Sequence, residues 1–346
     1  MRVAVDARSF RASGSGRGIS VYLECLLHEL RHGNAGESYQ AVEDRRPSRA
    51  SAAVFGRPRL DRIAGGCDVL WLPAPAPLAV SPGVPLVLTV HDLSFEHRPS
   101  DFSAYERLWH LLARPRRLAR RATRVIAVSE AVRGQAIEAW GLDPERVVTV
   151  LSGPGRPPGA AGAPPEGLEP GFVLAVGALE PRKRPDLLIE AHARARARGL
   201  RAELVFAGPG RPAAASGRSA GGAAAPRFLG RVDDPTLDAL YAGALALACP
   251  SREEGFGFTP LEAAARGTPA IVADLAPFRE TLGDAALSVA PGDPDALADA
   301  LLRLEREPGL REELSAAGRE AAARLSWQRA ARETRAVLAA AAAEAP

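Results

Sequence analysis

The chain has 346 residues, 47% of them apolar and 25% charged, which is ample for buried cores and excludes a disordered chain. Lys and Arg total 44 against 41 Asp and Glu, a mildly basic balance that suits anionic substrates or an anionic membrane surface, while its dispersed arginines and lack of a recognition motif argue against nucleic acid. Three distant cysteines, Cys25, Cys67 and Cys249, form neither a disulfide framework nor a zinc site, and no apolar run reaches the ~18 residues of a membrane span.

The N-terminal MRVAVDARSF reads as a first strand over 2–7 and not as a signal peptide, because Asp6 interrupts its apolar run. With the unpaired cysteines this implies a cytoplasmic protein, a peripheral contact at the inner membrane face being left open. A loop with Gly14, Gly16 and Gly18 leads into a helix that places Ile19, Tyr22, Leu23, Leu26, Leu27 and Leu30 on one face. Residues 33–66 are polar, Arg-rich and without assignable pattern. Strands follow over 68–72 and 86–90, then a helix over 105–121 kinked at Pro115. A strand over 124–128, a helix over 130–140 capped by Ser129 and a strand over 147–150 complete the first half.

Residues 153–170, GPGRPPGAAGAPPEGLEP, lack periodicity and read as a linker. The same grammar then restarts, with strands over 172–176, 203–207, 228–229, 245–249, 270–273 and 287–290. Helices are expected over 185–198, 235–242, 260–266 and 294–305, with a helical tail from 310. The expected domains are 1–152, 171–325 and a final helix over 326–346 that crosses back to the first domain. Strand–helix alternation in both halves predicts an α/β protein with parallel sheets, whose ligands bind outside the carboxyl ends of strands. Four loops follow strands directly: 8–18, 91–99, 177–184 and 250–258. Two such domains facing each other would line one cleft with them.

The segment SREEGFGFTPLEAAARGTPA, 251–270, is the most informative. Gly255 and Gly257 permit a tight turn; Thr259 is expected as N-cap and Pro260 as first residue of a helix whose amino end suits a diphosphate. Glu254 and Glu262 bracket the turn, and a carboxylate accepts two hydroxyl hydrogen bonds from a sugar diol. Thr259-x-x-Glu262 is equally a capping box, so local pattern leaves both roles open for Glu262.

The segment resembles the signature of the family 4 glycosyltransferases, a Glu, seven residues and a second Glu in a setting like E-G-F-G-x-x-x-L-E-A. Glu254, Gly255, Phe256, Gly257, Leu261, Glu262, Ala263, Gly267 and Pro269 match it. The resemblance implies a GT-B architecture, two Rossmann-like domains across a cleft, and a retaining transferase. It assigns Glu254 to hydroxyls of the donor sugar and Glu262 to the nucleotide ribose. The diphosphate and sugar fall to the backbone of Phe256, Gly257, Phe258 and Thr259, beside Gly255.

VGALEPRKRP, 176–185, resembles the family's V-G-x-L-E-P-R-K-N stretch, which assigns Lys183, with Arg182 beside it, to the donor phosphates. Ala178 stands where some relatives carry a second cation, and Arg184, at the usual asparagine or glycine, is expected in solvent. GRGISVY resembles the glycine-rich N-terminal loop, giving Gly18 a donor or acceptor contact, with Val21 where arginine is common. VHDLSFEHRP, 90–99, resembles V-H-D-L-x-F, so His91 is expected at the donor sugar and Asp92 as a loop former. VIAVSEAVR resembles V-S-x-x-x-R, where Arg133 faces either the cleft or solvent. Gly230, Arg231 and Val232 match the stretch that holds the base, and Asp233 and Asp234 cap the next helix.

The expected function is transfer of a hexose of mannose or glucose type from a nucleotide-diphosphate sugar, such as GDP-mannose or UDP-glucose, to a glycan, lipid-linked or small-molecule acceptor. No cofactor and no metal is expected, since no D-x-D cluster appears and cations with a helix dipole can stabilise the leaving group. The resemblance implies same-face attack by the acceptor hydroxyl, a donor phosphate oxygen taking the proton. Two alternatives stand beside this: another GT-B enzyme, a phosphorylase or nucleotide-sugar epimerase, or a non-catalytic sugar-nucleotide-binding scaffold.

Overall fold

The computed structural model describes residues 1–8, 18–32, 36–43, 55–210 and 225–344. Gly14 and Gly16, most of the loop 8–18 and much of 33–66 and 208–226 lie outside the described residues. The chain divides into two compact units, Met1–Gly153 with Ser326–Pro346, and Pro154–Leu325.

The first unit is built on strands β1 (Arg2–Asp6), β2 (Ser38–Val42), β3 (Val69–Leu72), β4 (Leu86–Val90), β5 (Arg124–Ala127) and β6 (Val147–Thr149). They form one parallel sheet in the order β2-β1-β3-β4-β5-β6. Every residue of β3 and β4 is buried, as parallel strands covered on both faces require. Helix α1 (Gly18–His32) buries Tyr22, Leu23, Leu26, Leu27 and Leu30, the face its 3.6-residue period marks, and Val21 with them. The polar stretch that defied reading contains β2, an edge strand on which only Tyr39 and Val42 are buried.

The single kinked helix expected over 105–121 is two helices, α2 (Ala104–Ala113) and α3 (Pro115–Arg121). Arg114 between them takes a left-handed conformation with φ 48°, so the chain turns fully before Pro115 opens the next helix. Ser129 caps α4 (Glu130–Trp140) by accepting from the Val132 N–H. The last helix of the chain, Trp327–Ala343, belongs to this unit. It lies on α1, with Gln328 donating to Glu29 and Arg335 to Glu37.

The second unit carries strands β7 (Phe172–Val176), β8 (Leu204–Ala207), β9 (Arg227–Gly230), β10 (Ala244–Cys249), β11 (Ala270–Ala273) and β12 (Leu287–Val289). Their parallel order is β12-β11-β10-β7-β8-β9, so the winding reverses between β10 and β7. Apolar clusters cover both faces: Leu188, Phe206, Ile271 and Leu301 on one, Leu174, Val205, Leu240 and Leu247 on the other. Loops leaving two adjacent strands at such a reversal diverge and open a crevice, where ligands of these sheets bind.

Candidate active site

The reversal in the second sheet places two of the sequence motifs side by side. The chain leaving β7 turns through a short 3-10 helix, Pro181–Lys183, and the chain leaving β10 runs into the loop before Phe258–Ala265. The Arg252 N–H donates to the Arg182 carbonyl at 2.8 Å and ties the two loops together. Lys183 Nζ donates to Glu254 Oε1 at 2.8 Å, and Ser251 Oγ donates to the same oxygen at 2.9 Å. Arg182 Nη1 lies 3.9 Å from Glu254 Oε2, while its Nε donates to Glu180 at 2.9 Å. Burial favours the protonated acid at Glu254, but the Lys183 and Arg182 cations outweigh it and hold the carboxyl below its usual range. Burial likewise opposes the Lys183 charge, and Glu254 more than restores it. Ser251, fully buried, is a member of this cluster that the sequence did not single out. A small cavity beside it is lined by Gly177, Lys183, Phe206, Cys249 and Ser251.

The floor beyond β7 and β8 is bare backbone. Gly208 donates to the Gly230 carbonyl at 2.7 Å, and a Cβ on Gly208 would run into the Gly177 carbonyl. With φ 155° at Gly208, only glycine lets these two chains approach so closely. Gly230 closes β9 half-buried, Val232 is half-buried and Arg231 is exposed. Asp233 caps the next helix, accepting from the Thr236 N–H at 2.9 Å, and Asp234 is its first residue.

Gly255, Phe256 and Gly257 are buried; Phe258 and Thr259 are half-buried. The expected cap is corrected. The helix spans Phe258–Ala265 with Gly257 as N-cap at φ 96° and no side-chain cap, so Thr259 and Pro260 sit inside the first turn. A left-handed glycine starts the helix two residues early, and no capping box forms. Glu262 instead points to its own set of donors: the Arg156 N–H at 3.2 Å and Tyr241 Oη at 3.1 Å. Arg266 lies over the Tyr241 ring at 5.2 Å, donates to the Glu262 carbonyl at 3.1 Å and pairs with Asp238. Burial raises the Glu262 carboxyl, with these neighbours pulling the other way and losing. Arg156, Tyr241, Asp238 and Arg266 carried no local sequence signal, because their meeting depends on the docking of 155–159 onto this unit.

Arg184 is a second correction. Its side chain is only 15% exposed and pairs with Asp186 at 2.9 Å, and its φ of 54° is the left-handed conformation that glycine or asparagine takes most easily.

In the first unit His91 follows β4. Its Nε2 lies 2.8 Å from the Pro73 carbonyl, at the end of β3, so Nε2 carries the donated proton and Nδ1 keeps a lone pair. The Tyr22 ring meets the imidazole edge-on at 4.7 Å, and Trp327 meets Tyr22 at 6.0 Å. Burial lowers the His91 pKa despite the Pro73 carbonyl and Asp92, so the ring is neutral at pH 7. Asp92 accepts from Ser94 N at 3.0 Å and Ser94 Oγ at 2.6 Å, which makes it the loop former. Gly18 is exposed at the first position of α1. Arg133 donates to the carbonyls of Val147 and Pro144 and also pairs with Glu130; it braces its own unit. At the end of β1, Asp6 and Arg8 form a buried two-pronged ion pair at 2.8 and 3.0 Å that composition alone did not announce. Among the described residues no group of three or more His, Cys, Asp or Glu side chains converges.

Comparison with known proteins follows the same division. Residues 15–153 match Glycosyltransferase Family 4, and residues 163–321 match Glycosyl transferases group 1. A phosphatidyl-myo-inositol mannosyltransferase of Mycobacterium leprae is 34% identical over 296 residues, 80% of this chain and 74% of that relative. The chain belongs to the family 4, group 1 glycosyltransferases. A D-inositol 3-phosphate glycosyltransferase of Actinosynnema mirum is 35% identical over 71% of this chain and 64% of its own length. HepE of Anabaena, solved with UDP and glucose, superposes with a TM-score of 0.70 at 17% identity, covering 98% of this chain and 100% of that one. Sucrose-phosphate synthase of Thermosynechococcus elongatus superposes at 0.72 with 19% identity, over 98% and 100%. With its two parallel α/β sheets, the chain has the GT-B fold, and it is a glycosyltransferase.

Proposed function

We propose that this enzyme moves a hexose from a nucleoside-diphosphate sugar to an acceptor hydroxyl with retention of anomeric configuration. The observation that carries the reading is the Lys183–Glu254–Arg182 cluster at the winding reversal of the second sheet. Two cations fixed around one ionised carboxylate can serve both ends of such a donor: Glu254 accepts sugar hydroxyls, and Lys183 and Arg182 take up charge on the departing diphosphate. Glu262 takes the ribose, with two further lone-pair sites beyond those used by Arg156 and Tyr241. Gly230, Arg231 and Val232 take the base, and the first-turn backbone around Gly257 to Thr259 takes diphosphate and sugar. His91, neutral with its Nδ1 lone pair open to an incoming hydroxyl, takes the donor sugar. The bond from the anomeric carbon to the diphosphate breaks as the bond to the acceptor oxygen forms on the same face. The acceptor proton passes to a donor phosphate oxygen. No metal is assigned to the leaving group.

The sugar is of mannose or glucose type. The mannosyltransferase name of the Mycobacterium leprae relative favours mannose, and the inositol-directed names favour a polyol or polyol-headgroup acceptor. UDP and glucose in HepE favour a nucleotide-sugar donor of this general kind. The test is nucleoside diphosphate release across a panel of nucleotide sugars, with and without acceptor extract. Acceptor-stimulated release from one donor, lost in Glu254→Ala and Lys183→Ala, is the expected result. Full activity in both variants overturns the site, and preference for inorganic phosphate as acceptor turns the reading toward a phosphorylase.

A further inference from the structure

We propose that His28 and His32, on the outer face of α1, form a binding site for one divalent transition-metal cation of the zinc, nickel or copper type. Residues 28–32 read His-Glu-Leu-Arg-His at the carboxyl end of that helix. On a helix the H-E-x-x-H pattern sets two imidazoles four residues apart on one side, a spacing that lets both reach one ion. Both histidines are exposed while Leu27 and Leu30 beside them are buried, so the pair looks outward. Two observations beyond the spacing favour a metal. The first is that His32 Nδ1 lies 2.7 Å from the His28 carbonyl. A carbonyl only accepts, so Nδ1 carries the proton and Nε2 keeps its lone pair. Metal-ligating histidines are arranged in this way, one ring nitrogen anchored on a carbonyl or carboxylate and the other left as the ligand. The second is the approach of the rings, whose centres are 4.3 Å apart with planes tilted by 38°. Two nitrogens bound to one ion at about 2.1 Å stand about 3 Å apart, within reach of rings this close. Two imidazolium ions so placed would repel, whereas one shared cation meets the negative end of the α1 dipole without that penalty.

The surroundings decide what such a site does. In metal hydrolases with this pattern the glutamate between the histidines is the general base. Glu29 instead accepts from Gln328 Nε2 at 2.9 Å and helps hold the last helix. Arg31 donates to the Tyr39 carbonyl at 3.3 Å, which draws its charge toward β2. Among the described residues no third His, Cys, Asp or Glu joins the pair, so water fills the remaining positions on the ion. Imidazole donors select zinc, nickel or copper over magnesium and calcium, which prefer oxygen. The site is therefore a clip on the last turn of α1 and not a hydrolytic centre. The same helix presents Tyr22 to His91 and receives the helix Trp327–Ala343. An ion that bridges its final turn binds only the folded helix and so steadies the element that backs the His91 ring.

The proposal is independent of the transfer chemistry, because its test reads binding and stability and not turnover. The untagged full chain, stripped with chelator, is titrated calorimetrically with Zn²⁺ and, separately, with Mg²⁺. One equivalent of Zn²⁺ and no Mg²⁺ should bind, and Zn²⁺ should raise the melting temperature. His28→Ala and His32→Ala should each weaken Zn²⁺ binding about tenfold or more, and the double variant should abolish both the binding and the thermal shift. The metal-free melting temperatures of these variants should match that of the parent, since both side chains are exposed. Failure of the parent to bind Zn²⁺, equal binding of Mg²⁺, or unchanged binding by the double variant overturns the proposal. So does loss of the ion in Cys25→Ser with both histidines intact, which would assign it to the half-buried thiol one turn earlier.

Discussion

Glu254 and Glu262 lie in one short segment and are both largely enclosed, yet the fold pushes their carboxyls in opposite directions. Glu254 is set between two cations and is held ionised. Glu262 receives one backbone N–H and one phenol, and burial raises it. Of the two cations beside Glu262, Arg266 is committed to Asp238 and to the Tyr241 face, and Arg156 pairs with Asp234. The lesson is that a motif specifies where its carboxylates stand, while their charge is set by partners that the motif does not contain.

The most forceful way to break the comparison is to remove each acid in turn. Glu254→Ala should lower kcat/KM by about 10²–10³-fold, the usual loss for one preorganised electrostatic partner. Glu262→Ala should act mainly through KM for the nucleotide donor, read in the same steady-state assay. A larger kcat loss for Glu262→Ala than for Glu254→Ala would reverse the assigned roles.

Stability against pH sharpens the contrast, measured by urea unfolding of Glu254→Gln and Glu262→Gln beside the parent. The folded Glu254 carboxyl titrates below its unfolded value, so its contribution is present above about pH 4.3 and is lost as pH falls through the folded pKa. Lys183 titrates above its unfolded value, so its share persists below about pH 10.4 and is lost as pH rises through the folded pKa. Glu254→Gln should therefore cost about 1–3 kcal/mol at neutral pH, and the deficit should close on acidification. Glu262 has the opposite sign: its folded carboxyl binds a proton that the unfolded chain has already released. Stability of the parent relative to Glu262→Gln should fall as pH rises from about 4 to neutrality. Parallel pH profiles for the two variants would refute the contrast.

Gly155→Ala probes the Glu262 side by crowding. Gly155 has φ 89°, and a Cβ there would overlap the Glu262 side chain. The expected cost is about 1–3 kcal/mol in thermal or urea unfolding, with the nucleotide KM raised as Glu262 is displaced. The smallest effect belongs to Arg184→Gly beside the Lys183 cluster. Relief of the left-handed conformation and loss of the Asp186 pair offset each other, so unfolding should shift by about 1 kcal/mol or less.

Much of the fold was legible because parallel strands covered on both faces announce themselves as short apolar runs, as at Val69–Leu72 and Leu86–Val90. Ser38–Val42 escaped because an edge strand with two buried residues carries no such run. The spacing of Glu254 and Glu262 and the run around Lys183 identified the candidate site by resemblance. The geometry of Glu262 did not follow from it. Thr259 and Pro260 form a plausible cap by local rules, but glycine can enter a helix from the left-handed region, and Gly257 does so first. Arg184 looked solvated because nothing in R-K-R shows that Asp186 folds back onto it. Partners such as Ser251, Tyr241 and the Pro73 carbonyl are joined to their acids and to His91 by tertiary packing alone.

The first unit is not one stretch of chain. Its sheet is complete by Thr149, but helix Trp327–Ala343, which lies on α1 and sets Trp327 against Gly153 and Tyr22, is encoded after the whole of Pro154–Leu325. On the ribosome the usual order is therefore inverted. Domains generally fold as units as they emerge, amino-terminal ones first. Here the segment 154–325 is fully translated while the amino-terminal sheet still waits for its last cover. The parts of α1 and of strands β3, β4 and β5 that this helix contacts stay open for that interval, an apolar surface that the finished protein no longer displays.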